Sequence, residues 1–357
     1  MRAVACEALG DPCKPLGSGV LVLRQDEPSP ALPTEDHIRI RVSAASLNYP
    51  DALQIQGSYQ DKPKLPFLIG KEASGVVTAV GARVKAFKPG DAVCGVGDAG
   101  AFADEWVVHQ ASVWRVPDGL DPQLASALPI AYGTADLALR HRGKLGPGQT
   151  LLVLGASGGV GTAAVQIGKL VGARVIAVTS GAAKADYLRG LGADAVVDAA
   201  AAPEGAPLHK LIRAVAPKGG VDVVFDPVGG KLLAEALKVV AWGAQYLVIG
   251  FVAGIPKVPA NLLLVKNCTV HGVFWGSYMQ RQPKVLRASM DQVLAWAASG
   301  QLQIPISHRF GLEGVPEAMA VLLGRGAGLA SMGCIWGELG QHKSSTQRSQ
   351  ECCCCAP

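Results

Sequence analysis

The chain has 357 residues, of which 49% are hydrophobic and 17% charged, and its formal net charge is +5 at pH 7. This composition excludes an intrinsically disordered chain, and the length predicts about two domains. The basic residues are scattered, so no nucleic-acid-binding surface is indicated. No apolar run reaches the roughly 18 residues that a membrane span needs. Five cysteines are scattered singly, with no Cys-x-x-Cys pair among them, which is typical of a reducing compartment. We therefore expect a cytoplasmic protein that does not act at a membrane.

The first part of the chain, residues 1–128, is predicted to be a β-rich domain. Residues 37–47 begin with an alternation that places Ile38 and Ile40 on one face, and residues 72–81 form a second such run. Glycine and proline turns separate these short runs. Many short strands with such turns indicate a barrel-like domain.

From Gln149 onward, apolar strands alternate with helices. Residues 150–155 form a continuous apolar run, as expected for a strand buried on both faces of a parallel sheet. Further strands are predicted at residues 173–178, 195–197, 221–226, 245–250 and 269–275, with helices at 158–172, 182–191, 208–216 and 231–240. This repetition predicts an α/β fold in which residues 129–275 form a Rossmann-type, doubly wound parallel sheet inserted after the β-rich domain.

The remaining residues are predicted to return to the first domain and then to end in a tail. Two helices, at about 283–299 and 312–323, belong to the return segment, residues 276–335. Residues 336–357 are polar, without a hydrophobic period, and are predicted to be disordered. They include the run Cys352-Cys353-Cys354-Cys355. Metal chelation, palmitoylation and simple thiol reactivity are the alternatives for this run.

A glycine-rich loop, Gly155-Ala156-Ser157-Gly158-Gly159-Val160-Gly161, follows one predicted strand and opens a helix. Glycines there let the backbone approach a pyrophosphate, and the helix N-terminus supplies N–H donors. Ala156 stands at the first glycine of the usual fingerprint, so an ordinary tight turn is the alternative. The strand–loop–helix context predicts a dinucleotide site with these pyrophosphate-binding residues: Gly158, Gly159, Val160 and Gly161.

The end of the next strand indicates which dinucleotide is bound. NAD-preferring sites carry an Asp or Glu there, whereas this chain has Thr179-Ser180-Gly181 followed by Lys184. Hydroxyl groups and an ammonium bind a 2′-phosphate through charge-assisted hydrogen bonds. We therefore expect NADPH as the cofactor, with Thr179, Gly181 and Lys184 in the site. The alternative is that Lys184 is simply a solvated lysine at a helix start.

A set of ordered motifs resembles a known superfamily. They are Ser46-Leu47-Asn48-Tyr49-Pro50-Asp51, Gly57-Ser58-Tyr59, Leu65-Pro66, Gly70-Lys71-Glu72, Val80-Gly81, Phe87-Lys88-Pro89-Gly90-Asp91, Ala131-Tyr132-Gly133-Thr134-Ala135 and the glycine loop. Over about residues 2–323 the chain resembles the medium-chain dehydrogenase/reductases, specifically their zinc-independent quinone oxidoreductase branch, which includes zeta-crystallin. The resemblance implies a GroES-like catalytic domain, a Rossmann domain and an active site between them.

The resemblance also implies NADPH-dependent reduction of quinones or α,β-unsaturated carbonyls by a homodimer that pairs through residues near 269–275. Zinc-dependent relatives carry a Cys and a His where this chain has Asn48 and Lys71. Neither side chain is a plausible zinc ligand, so no metal is expected. Without a Lewis acid, a conjugated acceptor is easier to reduce than a simple ketone, because charge spreads onto a distant oxygen.

The resemblance places Asn48 and Tyr59 beside the nicotinamide and substrate. Tyr59 would donate a hydrogen bond, or a proton through water, to the developing oxyanion, and an amphipathic rim position is its alternative. Asp51 is expected to fix the loop rather than take part in chemistry. Further cofactor contacts implied by the resemblance are Ile249, Gly250 and Phe251 near the nicotinamide ribose, and Val273, Phe274 and Trp275 beside the nicotinamide. Core or dimer packing is the alternative for Phe274 and Trp275.

Two features depart from the family pattern. Residues 195–202 lack the tyrosine that often contacts the adenine end, and Gly333-Cys334-Ile335 only weakly matches the family's closing strand. An alternative function is therefore kept: an NADPH-binding protein with little or no turnover, such as a redox sensor, an RNA-binding protein or a crystallin-like protein.

Overall fold

The computed structural model describes residues 1–203, 205–324 and 334–335. The predicted tail, residues 336–357, lies outside the described residues, together with its four cysteines. Across the described part of the chain, no helix combines the length and hydropathy that crossing a bilayer requires.

The amino-terminal part is built from short antiparallel strands. Its elements are β1 (Ala3–Cys6), β2 (Leu21–Arg24), β3 (His37–Ser46), α1 (Tyr49–Ile55), β4 (Phe67–Leu68), β5 (Glu72–Val80), β6 (Ala92–Val96), β7 (Glu105–His109), β8 (Val113–Arg115) and α2 (Pro122–Ala125). A five-stranded sheet has the order β7-β3-β5-β6-β8, and a smaller sheet has the order β2-β1-β4. The alternation in β3 buries Ile38 and Ile40 in the core between them. The predicted β-rich, GroES-like domain is confirmed.

The second part is a six-stranded parallel sheet with helices between the strands. It begins with α3 (Ala131–Asp136) and a π-helical turn (Leu137–Arg142), followed by β9 (Thr150–Val153), α4 (Gly159–Leu170), β10 (Arg174–Thr179), α5 (Ala182–Gly190), β11 (Ala195–Asp198), α6 (Leu208–Val215), β12 (Val221–Asp226), α7 (Leu232–Leu237), β13 (Val240–Val248), α8 (Ala260–Lys266) and β14 (Thr269–Gly272). The strand order is β11-β10-β9-β12-β13-β14. This is the Rossmann order, so the predicted fold class is confirmed.

Strand β9 lies at the point where the strand order reverses: β10 and β11 extend the sheet on one side of β9, and β12, β13 and β14 extend it on the other. All four of its residues are buried, which explains why its sequence is a continuous apolar run. Its neighbours, β10 and β12, pair with it in parallel on either side. Ligands of such sheets bind at the carboxyl edge beside this switch point, where the glycine loop leaves β9.

Two predicted elements end earlier in the structure, and one helix was not predicted. The helix predicted at 231–240 ends at Leu237, because the chain already enters β13 at Val240. The strand predicted at 269–275 ends at Gly272, and a 3₁₀ turn (Trp275–Ser277) follows. Helix α8 was not predicted at all: its short apolar run after Pro259 resembles a strand as much as a helix.

The last elements are α9 (Tyr278–Arg281), α10 (Pro283–Ala298), β15 (His308–Arg309), α11 (Val315–Leu323) and β16 (Cys334–Ile335). Helix α10 packs on α3, and Leu286 and Met290 join the apolar core of the Rossmann part. Helix α11 contributes Val315 and Met319 to the core of the first part. Helix α10 also contacts the amino-terminal part, because the Arg287 guanidinium donates to the Val113 carbonyl at 2.8 Å and lies over the Trp114 ring. Both predicted return helices therefore contact that part. Strand β16 pairs in parallel with β15.

Candidate active site

A buried carboxyl group links the two halves of the molecule. The Asn48 amide Nδ2 donates to Glu72 Oε1 at 2.6 Å, and the backbone N–H of Ile130 donates to Glu72 Oε2 at 2.8 Å. Asn48 precedes α1, Glu72 begins β5, and Ile130 precedes α3. Glu72 thus fixes the orientation of the predicted catalytic amide at the junction of the two halves.

A second buried carboxyl lies one helical turn from Asn48. Asp51 Oδ2 accepts the backbone N–H of Asn48 at 2.8 Å, which holds the turn into α1. Among the described residues, Asp51 Oδ1 has no hydrogen-bond partner. Burial raises the pKa of Asp51 to about 7 and the pKa of Glu72 to about 8, although the hydrogen bonds from Asn48 oppose both shifts. Both carboxyls therefore titrate near neutral pH.

Lys71 and Tyr59 complete this polar group. Lys71 Nζ donates to the backbone carbonyl of Asp98 at 2.8 Å and lies 5.1 Å from the centroid of the Tyr59 ring. Burial raises the pKa of Tyr59 to about 12, and the charges of Asp61 and Asp51 add to the effect. The phenol is consequently protonated at neutral pH and able to donate a hydrogen bond. The structure thus gathers Asn48 and Tyr59, the two predicted catalytic residues, around Asp51, Lys71 and Glu72.

This donor set does not suit zinc. The Lys71 ammonium has no lone pair to offer, and the Asn48 amide is engaged with Glu72. Within the described part of the chain, no three His, Cys, Asp or Glu side chains are arranged to hold a metal ion.

The predicted pyrophosphate loop has the geometry of a cradle. Gly155 adopts φ +56°, and a Cβ at Gly161 would lie 2.4 Å from the Gly155 carbonyl oxygen. By contrast, the nearest atom to a Cβ at Gly158 is 3.4 Å away. Helix α4 begins at Gly159, so the backbone N–H groups of Gly159, Val160 and Gly161 have no acceptor within the helix. These residues fit a dinucleotide pyrophosphate at the N-terminus of a twelve-residue helix.

The residues predicted for the 2′-phosphate end lie next to this loop. The Thr179 hydroxyl donates to Ser157 Oγ at 2.9 Å and so ties the end of β10 to the glycine loop. Gly181 adopts φ +108°, and a Cβ there would have open space around it. Lys184, in the first turn of α5, is partly exposed and forms no ion pair with any described residue. Its ammonium is available to an anionic ligand.

Asp198, at the end of β11, was missed as a member of this region. Its Oδ1 accepts the backbone N–H of Gly181 at 2.7 Å and that of Ala200 at 2.9 Å. These hydrogen bonds hold the pKa of the Asp198 carboxyl below its usual range, so the group is ionised. The usual position of such a carboxylate is the end of β10, whereas β11 lies beside β10 and ends at the same edge of the sheet. An acidic residue closing the third strand was the available signal. Asp198 thus occupies the backbone N–H of Gly181.

The predicted nicotinamide-side residues divide into two groups. The backbone N–H groups of Ile249 and Gly250 donate to the carbonyl of Asp226 at 2.9 and 3.4 Å, which holds them at the carboxyl edge of the sheet. Phe251 follows with an exposed side chain. Val273 donates its N–H to the Val248 carbonyl at 3.0 Å, so it remains beside the same edge.

The two aromatic residues after β14 lie in different environments. Phe274 is 50% exposed, whereas Trp275 is only 6% exposed and lies with Met290 against Gly133. Trp275 thus packs in the core between α3 and α10, the packing alternative left open by the sequence. Phe274 retains an accessible ring.

Comparisons with known proteins agree with this architecture. Residues 159–298 match the family described as zinc-binding dehydrogenase, and residues 34–118 match the alcohol dehydrogenase GroES-like domain. The chain is 38% identical over 328 residues to a "Quinone oxidoreductase-like protein 2 homolog" of Nematostella vectensis, covering 91% of this chain and 86% of that relative. It is 35% identical over 326 residues to "Quinone oxidoreductase-like protein 2" of Mus musculus, covering 91% and 89%.

Solved structures give the same result. A quinone oxidoreductase of Pseudomonas syringae pv. Tomato is 27% identical with a TM-score of 0.82, covering 94% of this chain and 99% of that one. A mycobacterial protein solved in complex with NADPH is 26% identical with a TM-score of 0.83 and the same coverage. The fold, the glycine cradle and these relatives together show that the chain belongs to the quinone oxidoreductase family of the medium-chain dehydrogenase/reductase superfamily.

Proposed function

We propose that this protein is an NADPH-dependent oxidoreductase that transfers a hydride to a quinone or an α,β-unsaturated carbonyl without a metal. The observation that carries the proposal is the Asn48–Glu72 hydrogen bond of 2.6 Å. Asn48 and Lys71 stand where zinc-dependent relatives carry zinc ligands. The hydrogen bond to Glu72 holds the Asn48 amide in one orientation, and a lysine occupies the second position. A mycobacterial relative solved with NADPH supports the choice of cofactor.

Each part of the site has a role in this reaction. NADPH, when bound, supplies the hydride. The backbone N–H groups after Gly158 bind the pyrophosphate, and Lys184 binds the 2′-phosphate. Asn48 and Tyr59 orient the acceptor and donate hydrogen bonds to its oxygen as negative charge develops there. Because these donors are weaker than a Lewis acid, an acceptor that delocalises the charge fits the site best.

We also propose that the protein forms a homodimer through β14. This strand is the edge of the parallel sheet and has only one partner, β13, among the described strands. Beside it, α8 exposes Leu264 and Val265 to 82% and 66%. An unpaired edge next to exposed apolar side chains favours pairing with a second copy. Sedimentation equilibrium tests this: Leu264→Asp should convert a dimer into a monomer, whereas Leu9→Asp on the first domain should not.

The activity is tested by following NADPH oxidation under anaerobic conditions against para-quinones, ortho-quinones and 2-alkenals, with NADPH binding measured in parallel. Turnover of at least one conjugated acceptor, and none of a simple ketone, is expected. Tight NADPH binding without turnover of any acceptor would instead favour the non-catalytic alternative, a redox sensor, RNA-binding or crystallin-like protein.

A further inference from the structure

Lys71 is a buried cation without a carboxylate partner. It is 6% exposed and is the only Lys or Arg among the buried charged side chains of the described residues. None of the ion pairs in that part of the chain includes it. Removing an ammonium from water without a pairing anion costs free energy. A buried ammonium that forms no ion pair and lies beside the Tyr59 ring therefore indicates a function rather than a contribution to stability.

The surroundings of the ammonium leave it able to bind a further group. An ammonium carries three N–H donors. One is used by the Asp98 carbonyl at 2.8 Å, and the Tyr59 ring covers another side at 5.1 Å. No described residue accepts a second hydrogen bond from Lys71 Nζ. Lys71 contacts the ring of Tyr59, and Tyr59 is the residue proposed to contact the acceptor. The remaining donor of Lys71 therefore lies close to the proposed acceptor site.

Two acids, Asp51 and Glu72, belong to the same polar group as Lys71. Burial raises the pKa of Asp51 and of Glu72 into the neutral range, so a fraction of each is protonated at pH 7. The Lys71 charge acts on Asp51 in the opposite direction, lowering its pKa, which is expected for groups that sense each other directly. No ion pair among the described residues joins Lys71 to either acid, so the ammonium keeps N–H donors for a further group.

We propose that Lys71 is a catalytic residue whose ammonium stabilises the oxygen anion that forms on the acceptor. This inference rests on the proposed reductase function. As the β-carbon of an enone gains a hydride with its electron pair, the carbon–carbon π pair forms a new double bond between the α-carbon and the carbonyl carbon, and the carbonyl π pair moves onto the oxygen. The donor is oxidised by two electrons and the acceptor is reduced. Lys71 holds the resulting enolate oxygen by a charge-assisted hydrogen bond until water gives a proton to the α-carbon, which re-forms the carbonyl and leaves hydroxide. Hydride transfer to a quinone likewise gives an anionic oxygen, which Lys71 would hold in the same way.

A phenolate is a stable analogue of that anion, so 4-nitrophenol tests the proposal without turnover. We expect the wild type to bind it as the yellow phenolate even below its solution pKa. Lys71→Met and Lys71→Gln should bind it at least about tenfold more weakly, while Lys71→Arg, which keeps the charge, should retain binding. Lys62→Met removes an exposed lysine three residues after Tyr59 and serves as the matched control.

Kinetics provide the second readout. Lys71→Met should lower kcat/KM for the acceptor about 100-fold, as losing one oxyanion donor does, with an NADPH Kd within about twofold of the wild type. Wild-type protein that binds only the neutral phenol would overturn the proposal, even if the variants do not fold. So would Lys71→Met with a kcat/KM within threefold of the wild type. Lysine-dependent phenolate binding without any acceptor turnover would instead contradict the reductase function and leave the anion site standing.

Discussion

The Asn48 amide donates a 2.6 Å hydrogen bond to Glu72, whose second oxygen accepts the backbone N–H of Ile130. A single buried carboxyl thereby connects the loop before α1 with the chain entering the Rossmann part. The protonation state of Glu72 consequently affects both the stability of the fold and the position of Asn48.

The first prediction concerns stability as a function of pH. Burial raises the pKa of Glu72 from 4.5 to about 8, and that of Asp51 rises in the same direction. The folded state then binds these protons more tightly than the unfolded state. The stabilisation is complete below pH 4 and is lost as pH rises towards 8, by about 1.4 kcal/mol per pH unit for each group. Denaturant unfolding from pH 5 to 9 measures this slope.

Glu72→Gln is the matched variant for that experiment, because it keeps the size of the side chain and removes the titration. Its free energy of unfolding should fall less steeply between pH 5 and 7, by about 1.4 kcal/mol per pH unit. An unchanged slope would mean that Glu72 is ionised throughout this range.

The second prediction concerns Tyr59→Phe, which removes the hydroxyl and keeps the ring over Lys71. We expect kcat to fall about tenfold, since one hydrogen bond to the developing oxyanion is lost. The Kd for NADPH should not change. Steady-state kinetics with the best acceptor measure the effect, and a fall of less than about threefold would remove Tyr59 from the catalytic role.

The third prediction compares two glycines of the same loop. A Cβ at Gly161 would lie 2.4 Å from the Gly155 carbonyl oxygen, whereas at Gly158 the nearest atom is 3.4 Å away. Gly161→Ala should therefore lower the free energy of unfolding by about 1–3 kcal/mol. Gly158→Ala should fold normally, yet bind NADPH about tenfold more weakly, because its methyl group occupies the pyrophosphate approach.

Thermal unfolding and NADPH titration, applied to both variants, separate these effects. Equal destabilisation by the two substitutions would contradict the described loop geometry. Unchanged NADPH affinity in Gly158→Ala would show that the pyrophosphate binds elsewhere.

The fourth prediction concerns cofactor choice. Lys184→Ala should lower kcat/KM for NADPH about tenfold and leave kcat/KM for NADH unchanged, because only NADPH carries the 2′-phosphate. Lys218→Ala, at an exposed lysine in the same half, should change neither value. The prediction fails if the wild-type kcat/KM for NADH equals or exceeds that for NADPH.

Much of the fold could be predicted because local periodicity carries it. The continuous apolar run of β9 indicates a strand buried on both faces, and the alternation of β3 indicates a half-buried one. The ends of elements were harder to predict where two elements follow each other without a clear stop signal. The prediction for helix α7 was too long because Val239 and Val240 continue its apolar pattern. In the structure, Val240 already pairs with Val221 in the sheet.

The site could be predicted only in part, because side-chain partners depend on packing between distant segments. The glycine loop and Asn48 are recognisable from their motifs. Asp198 was not predicted because its partner, Gly181, lies in the loop that follows the neighbouring strand, β10. Trp275 lies in the core because Met290, on α10, packs on it, and no local pattern predicts that contact.

The most direct test of the account is whether deuterium moves from NADPH to a conjugated acceptor. The protein would be mixed anaerobically with NADPH deuterated at the transferred position and an enone, and the product analysed by mass spectrometry and NMR. The account predicts one deuterium at the β-carbon and stoichiometric NADP⁺. Bound cofactor with no deuterium in any product would contradict it.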